Sequence, residues 1–105
     1  MTVTTSRSDL YAALLDVLSR AADQAASGKG HERHATPGEP FDAQQIVKLG
    51  IWAGNIGFQA GQAAKKAIEA QRLPTGRAIA ELLGAINYLA AAVVVLERMS
   101  ARDED

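Results

Sequence analysis

The chain has 105 residues, of which 48% are hydrophobic and only 5% aromatic, and its formal net charge is −1. This length is typical of one domain, here residues 1–105, whose core is built mostly from aliphatic side chains. The charge argues against a nucleic-acid partner, which would favour a strongly basic chain. Because there is no cysteine, disulfides and thiolate metal ligands are excluded.

Membrane association is not expected from the apolar segments. The N-terminal sequence MTVTTSRSDL lacks the apolar core of a secretory signal. The longest apolar run, YLAAAVVVL at 88–96, is shorter than the about 18 residues typical of a membrane span. We therefore expect a soluble, cytoplasmic protein.

The first predicted helix covers about residues 8–27. Ser8 is a suitable N-cap, and a stripe of apolar side chains at three- and four-residue spacings follows it. Residues 28–41 are rich in glycine, proline and charge, which is typical of a loop. Loops of this length in compact domains are usually functional or disordered, and we interpret 28–41 as a functional loop. The predicted buried stripe of the first helix is Leu10, Leu14, Val17, Ala21 and Ala25.

The second predicted helix covers about residues 42–71. Asp42 and Gln45 have the spacing of a capping box, and apolar residues then recur at heptad-like spacing from Ile46. A break near residues 55–57 is the alternative to one continuous helix.

The third predicted helix covers about residues 75–99, and residues 100–105 form an acidic tail that we expect to fray. The fold class is therefore all-α, a bundle of three main helices. The predicted core stripe of the third helix is Ile79, Leu82, Ile86, Leu89, Val93 and Leu96.

Four glycines interrupt the second helix, and each costs about 1 kcal/mol relative to alanine in a helix interior. Their absent side chains create a smooth surface that another backbone or a flat ligand can approach. We favour close helix packing over ligand contact. Since residues 46–60 are apolar nearly all round, three helices of unequal length do not cover them easily, and we expect a homo-oligomer. The glycines are Gly50, Gly54, Gly57 and Gly61.

A polar stripe follows one side of the same predicted helix at four- and three-residue spacings. An indole, several amides and lysines suit a planar anionic ligand such as a nucleotide. The alternative is an ordinary exposed face with an incidental tryptophan. The stripe consists of Lys48, Trp52, Asn55, Gln59, Gln62 and Lys66.

Further candidates lie in the third helix and in the loop. Glu81 and Asn87 are polar positions in the third helix, and the structural alternatives are a surface charge and a core amide that sets helix register. Lys29, Arg33 and His34 lie in the loop, where basic groups near a helix N-terminus favour anions. No phosphate-loop spacing and no third ligand beside the two histidines are present, so we predict no metal and no cofactor.

Two short segments, FQAGQAAKKA at 58–67 and ELLGAINYL at 81–89, resemble motifs of the all-α nucleoside-triphosphate pyrophosphohydrolases, the MazG-like family. The resemblance covers about residues 56–97 and implies a nucleotide-sized cleft between helices in a dimer or tetramer. That family binds Mg²⁺ through carboxylates, whereas Gln59, Gln62 and Gly84 stand at three of those positions and Glu81 alone matches an acid. With most carboxylates missing, we expect no catalysis.

Three hypotheses follow from these patterns. The first is a homo-oligomer that binds or sequesters a nucleotide or related phosphorylated ligand without hydrolysing it, such as a phage-type accessory protein. The second is a protein-interaction and assembly module without a small ligand. The third is a Mg²⁺-dependent pyrophosphohydrolase with a degenerate site that retains Glu81.

Overall fold

A computed structural model describes residues 6–27 and 38–103. Within these ranges the chain is helical and contains no strand, which confirms the all-α fold class. Most of the predicted loop, including Lys29, Arg33 and His34, lies outside the described residues. The elements are α1 (Arg7–Leu10), α2 (Ala12–Ser27), a 3₁₀ turn (Phe41–Ala43), α3 (Gln45–Ala53), α4 (Gly57–Ala70) and α5 (Thr75–Asp103).

The first predicted helix corresponds to α1 and α2, which are separated at Tyr11. The N-cap is Ser6 and not Ser8, because the Oγ of Ser6 accepts a hydrogen bond from the backbone N–H of Asp9 at 3.2 Å. This bond satisfies one of the N–H groups that the first turn of a helix leaves free.

The second predicted helix is divided into α3 and α4. Gly54 adopts a left-handed conformation with φ +76°, and its N–H donates to the carbonyl oxygen of Gly50 at 2.9 Å. Such a residue ends a helix, and glycine adopts this φ without the steric cost of a Cβ atom. Asn55 then accepts a hydrogen bond from the N–H of Gly57 at 2.9 Å, at the start of α4. The alternative of a break near residues 55–57 is therefore confirmed.

The predicted capping box at the start of the second helix is wrong. The N-cap of α3 is Gln44, and no side chain caps this end. Asp42 lies in the 3₁₀ turn, where its carboxylate and its backbone carbonyl both accept hydrogen bonds from Arg98 of α5. Asp42 therefore connects the turn to the C-terminal half of α5 and does not start α3.

Helix α5 is the centre of the fold, because α2, α3 and α4 all pack against it. Val47 of α3 and both Ala91 and Val95 of α5 have no solvent exposure. Alanine at the contact lets helix axes approach closely, and the small core holds few large side chains. The buried cluster consists of Ile46, Val47, Ala63, Ala85, Tyr88, Ala91 and Val95.

Two side-chain amides hold α2 antiparallel to α5. The Nε2 of Gln24 donates to the carbonyl oxygen of Ala80 at 3.0 Å, and the Nδ2 of Asn87 donates to that of Ala21 at 2.9 Å. Because the two bonds join different turns of both helices, they set the register between them. Asn87 thus has the structural role that the sequence offered as its alternative.

Helix α5 is longer than the third predicted helix, and its apolar segment extends beyond the run at 88–96. It continues to Asp103, so the tail predicted to fray at 100–105 is helical through that residue. The segment Thr75–Arg102 is long and apolar enough, by length and composition, to cross a membrane, and 28% of its most apolar window is buried within the chain. One such helix is weak evidence for a membrane span, because the core helix of a soluble protein, which is mostly buried, meets the same criteria.

Candidate functional site

The break at Gly54 divides the predicted polar stripe. Lys48 and Trp52 project from α3, where the Trp52 residue is 87% exposed. Asn55 lies in the junction, and Gln59, Gln62 and Lys66 belong to α4. Four- and three-residue spacing places side chains on one face only while the helix continues. The six residues therefore do not form one wall.

Gln59 is part of the core and does not line a surface. The residue has no solvent exposure, and its Nε2 donates to the carbonyl oxygen of Ile46 at 2.8 Å. Its Oε1 is also buried and has no hydrogen-bond partner in the part of the chain that the structure describes. The amide joins α4 to α3 across the break, which the pattern of apolar residues did not reveal.

Close packing against neighbouring side chains explains the glycine at position 50 inside α3. A Cβ atom at this position would lie 2.7 Å from both the Nε2 of Gln59 and the Cγ2 of Val95. Atoms at that distance overlap, so only glycine lets α3 approach the buried amide and α5 this closely. Together with the left-handed Gly54, this gives two of the four glycines a function within a single chain.

Lys66, Glu81 and Tyr88 form a cluster between α4 and α5. The Nζ of Lys66 lies 3.6 Å from the Oε2 of Glu81 and 5.9 Å from the centroid of the Tyr88 ring. A Cβ atom on Gly84 would lie 3.2 Å from the Cδ and Cε atoms of Lys66, so the lysine stem packs directly against the glycine backbone. The only carboxylate retained from the resemblance is therefore paired with an ammonium group of the same chain.

This donor set does not fit a Mg²⁺ site of the kind that the resemblance implies. Mg²⁺ requires oxygen ligands in octahedral geometry, usually including carboxylates. The Gln59 amide is in the core, and the Glu81 carboxylate faces the Lys66 ammonium. Across residues 6–27 and 38–103, no three His, Asp or Glu side chains lie close enough to hold one metal ion.

The surface around Lys48 and Trp52 retains part of the predicted ligand chemistry. The Nζ of Lys48 lies 3.8 Å from a carboxylate oxygen of Glu39, and the lysine side chain is 61% exposed. At this exposure an ion pair contributes little to stability, so the ammonium can exchange partners. One helical turn later, the Trp52 indole offers a flat apolar face to solvent.

A large apolar surface is exposed on the first and third predicted helices, where the sequence predicted a core. In α5 the exposed residues share one side and are 43–56% exposed; we call them the α5 stripe. Residues 10–18 contribute a second group that is 44–69% exposed, the N-terminal apolar set. The α5 stripe consists of Ile79, Leu82, Leu89, Val93 and Leu96, and the N-terminal apolar set of Leu10, Tyr11, Leu14, Leu15 and Leu18.

The predicted core stripe of the first helix is thus wrong for Leu10 and Leu14, whereas Ala21 is buried, and that of the third helix is wrong for the five residues of the α5 stripe. Helix α5 packs through a different side, which carries Ala85, Tyr88 and Val95. Because α5 is apolar around most of its circumference, periodicity alone does not identify the inner side. Alanines permit closer helix contact than leucines, and the chain buries the alanine-rich side.

Comparison with protein-family models, with curated proteins and with solved structures finds no match to this chain.

Proposed function

We propose that this chain is a self-assembling protein-interaction module whose working form is a homo-oligomer in the cytoplasm. The observation that supports this proposal is the α5 stripe, five large aliphatic side chains left about half exposed along a helix without a charge between residues 82 and 96. Monomeric soluble proteins rarely expose a continuous apolar surface of this kind. A second copy of the chain covers it most economically, because a two-fold interface buries the same surface on both partners.

Burial of both the α5 stripe and the N-terminal apolar set would release free energy on the scale that association costs. Full burial of one large apolar side chain contributes about 1.5–3 kcal/mol. The α5 stripe and the N-terminal apolar set together hold ten residues that are about half exposed. Their complete burial would contribute about 10 kcal/mol per chain and about 20 kcal/mol per pair. Association costs about 4–15 kcal/mol, so burial of both groups would favour assembly, whereas the α5 stripe alone would contribute about 10 kcal/mol per pair, within the range of that cost.

The test is the mass of the particle in solution, measured by size-exclusion chromatography with light scattering. We expect the wild-type chain to be a dimer or larger and Leu89→Glu to be a folded monomer, because a charge in the α5 stripe opposes its burial. Ile68→Glu is the matched control: Ile68 is 57% exposed on α4, about 140° around the helix from the buried Ala63. This variant should assemble like the wild type.

Three results would contradict the proposal. The first is a monomeric wild-type chain at 100 µM, and the second is equal assembly of Leu89→Glu and wild type. The third is transfer of the wild type to phosphatidylcholine vesicles with loss on Leu89→Glu, which would identify a membrane as the partner of α5. Far-UV circular dichroism of each variant shows whether a change in mass reflects unfolding instead.

A second candidate function is non-catalytic binding of a nucleotide or related phosphorylated ligand at the α3 surface. The supporting observation is the 87% exposed Trp52, one turn from the exposed Lys48. Thermal unfolding with mono-, tri- and cyclic nucleotides, each with Mg²⁺ and with chelator, tests it. A ligand at 100 times its Kd adds about 2.7 kcal/mol, and Trp52→Ala should abolish that shift. A shift only with Mg²⁺, accompanied by pyrophosphate release, would instead indicate the enzyme.

A further inference from the structure

A cavity of about 490 Å³ opens between α2, α5 and the segment that precedes α3. This volume is in the range of small-molecule sites, which are apolar and carry a few placed polar groups. Its walls have that composition, since most are alanine, leucine, isoleucine and phenylalanine side chains and three are polar. The apolar lining includes Leu18, Ala22, Ala25, Phe41, Ile86 and Ala90, and the polar lining is Glu39, Gln44 and Asn87.

The two amides of the cavity are oriented by bonds to the backbone. The Nδ2 of Asn87 donates to the carbonyl oxygen of Ala21 at 2.9 Å, and the Nε2 of Gln44 donates to that of Glu39 at 3.1 Å. A carbonyl oxygen only accepts hydrogen bonds, so the NH₂ end of each amide must point to it. The opposite assignment of nitrogen and oxygen would place two acceptors against each other.

Each amide therefore has an oxygen left over. Neither the Oδ1 of Asn87 nor the Oε1 of Gln44 has a hydrogen-bond partner among the described residues. Both oxygens keep some solvent contact, since the Oε1 of Gln59 is the one described side-chain acceptor that is fully buried without a partner. A bound molecule that carries a donor can therefore take the place of water at these two acceptors. Glu39 also belongs to the lining, and its carboxylate lies 3.8 Å from the Lys48 ammonium.

We infer that this cavity binds a small apolar molecule that carries an N–H or O–H donor and no negative charge. The apolar walls select a hydrocarbon or aromatic body, and the acceptors select the donor. A phosphate or carboxylate would bring further acceptors to the two amide oxygens and would supply no donor for them. The cavity is thus distinct in its chemistry from the Trp52 surface.

The experiment compares three probes of one shape, 2-phenylethylamine, 2-phenylethanol and phenylacetate, by NMR titration of the ¹⁵N-labelled full chain. We expect saturable binding of the amine and the alcohol, with shifts in the side-chain NH₂ signals of Asn87 and Gln44. Phenylacetate should bind at least tenfold more weakly.

Two alanine variants of α2 test the location. Ala22→Phe fills the cavity from an exposed position in its wall and should abolish binding. Ala13→Phe is the control, since Ala13 is exposed on the same helix and does not line the cavity. Binding of phenylacetate as strong as that of the amine, absence of all binding at 10 mM, or unchanged binding to a folded Ala22→Phe would overturn the inference. If Ala22→Phe does not fold, the NH₂ shifts in the wild type decide, and their absence on saturation would also overturn it.

Discussion

The buried amide of Gln59 is more costly than a hydrophobic side chain of the same shape, and we expect Gln59→Met to stabilise the protein. One end of the amide donates to the carbonyl oxygen of Ile46, whereas Oε1 is buried without a partner. Methionine has nearly the same length and flexibility, so it should occupy the space beside Gly50 and Val95 without a large shift.

The expected change in the free energy of unfolding follows from what the two ends of the Gln59 amide contact. Removing an unpaired buried acceptor returns about 1–3 kcal/mol, and losing one neutral hydrogen bond costs about 0.5–1.5 kcal/mol. The Ile46 carbonyl lies inside α3, where the helix supplies another donor. The free energy of unfolding should therefore rise by about 1 kcal/mol.

The assay is urea unfolding followed by far-UV circular dichroism at one fixed protein concentration, because assembly would add to the measured stability. Gln59→Glu is the contrasting variant, since it places a carboxylate in the core and should cost about 3 kcal/mol or more at neutral pH. That cost should be smaller at pH 5 than at pH 8, because burial favours the protonated, uncharged carboxyl group. A loss of more than about 1 kcal/mol in Gln59→Met would refute the reasoning, since it would mean that Oε1 has a partner.

Two further predictions concern the break and the ion pair. Gly54→Ala should lower the free energy of unfolding by about 1–2 kcal/mol, because φ +76° is unfavourable for alanine. Gly61 lies in an open position inside α4, so Gly61→Ala should raise the free energy of unfolding by up to about 1 kcal/mol. The same urea denaturation assay measures both changes. Lys66→Met keeps the stem against Gly84 and removes the charge. A double-mutant cycle with Glu81→Gln should give a coupling of at most about 1 kcal/mol, and no measurable coupling would show that the pair is incidental.

Much of the secondary structure could be predicted because its signals are local. The glycine-rich segment indicated either packing or a break, and Gly54 supplies the break by ending α3 in a left-handed conformation. The predicted start of the third helix at about residue 75 is confirmed, since α5 begins at Thr75. Caps were less predictable, since Ser6 and Ser8 are equally suitable residues and Asp42 has a competing partner in Arg98, 56 positions later.

The candidate site could not be predicted, because it depends on where α4 points after the break. Gln59 and Trp52 have the spacing of neighbours on one helix, yet one is wholly buried and the other is 87% exposed. A change in helix direction at three residues breaks the relation between spacing and face for every later position. The cavity amides were equally hidden, since Gln44 precedes α3 and its partner is a backbone carbonyl that no sequence pattern marks.

The cluster at Lys66 differs in its chemistry from the motif that this segment resembles. An aspartate at position 84, as in that motif, would place its Cβ atom 3.2 Å from the Lys66 stem, so the stem would have to shift by a few tenths of an ångström. Glycine at 84 and lysine at 66 are therefore complementary in space. Lys66 and Glu81 are complementary in charge, because the ammonium of Lys66 pairs with the carboxylate of Glu81. The ammonium of Lys66 lies beside Glu81, and the lysine stem packs against Gly84 between α4 and α5. The cluster accordingly acts as a structural contact between helices. The surfaces left for function are the α5 stripe, the surface around Lys48 and Trp52, and the cavity.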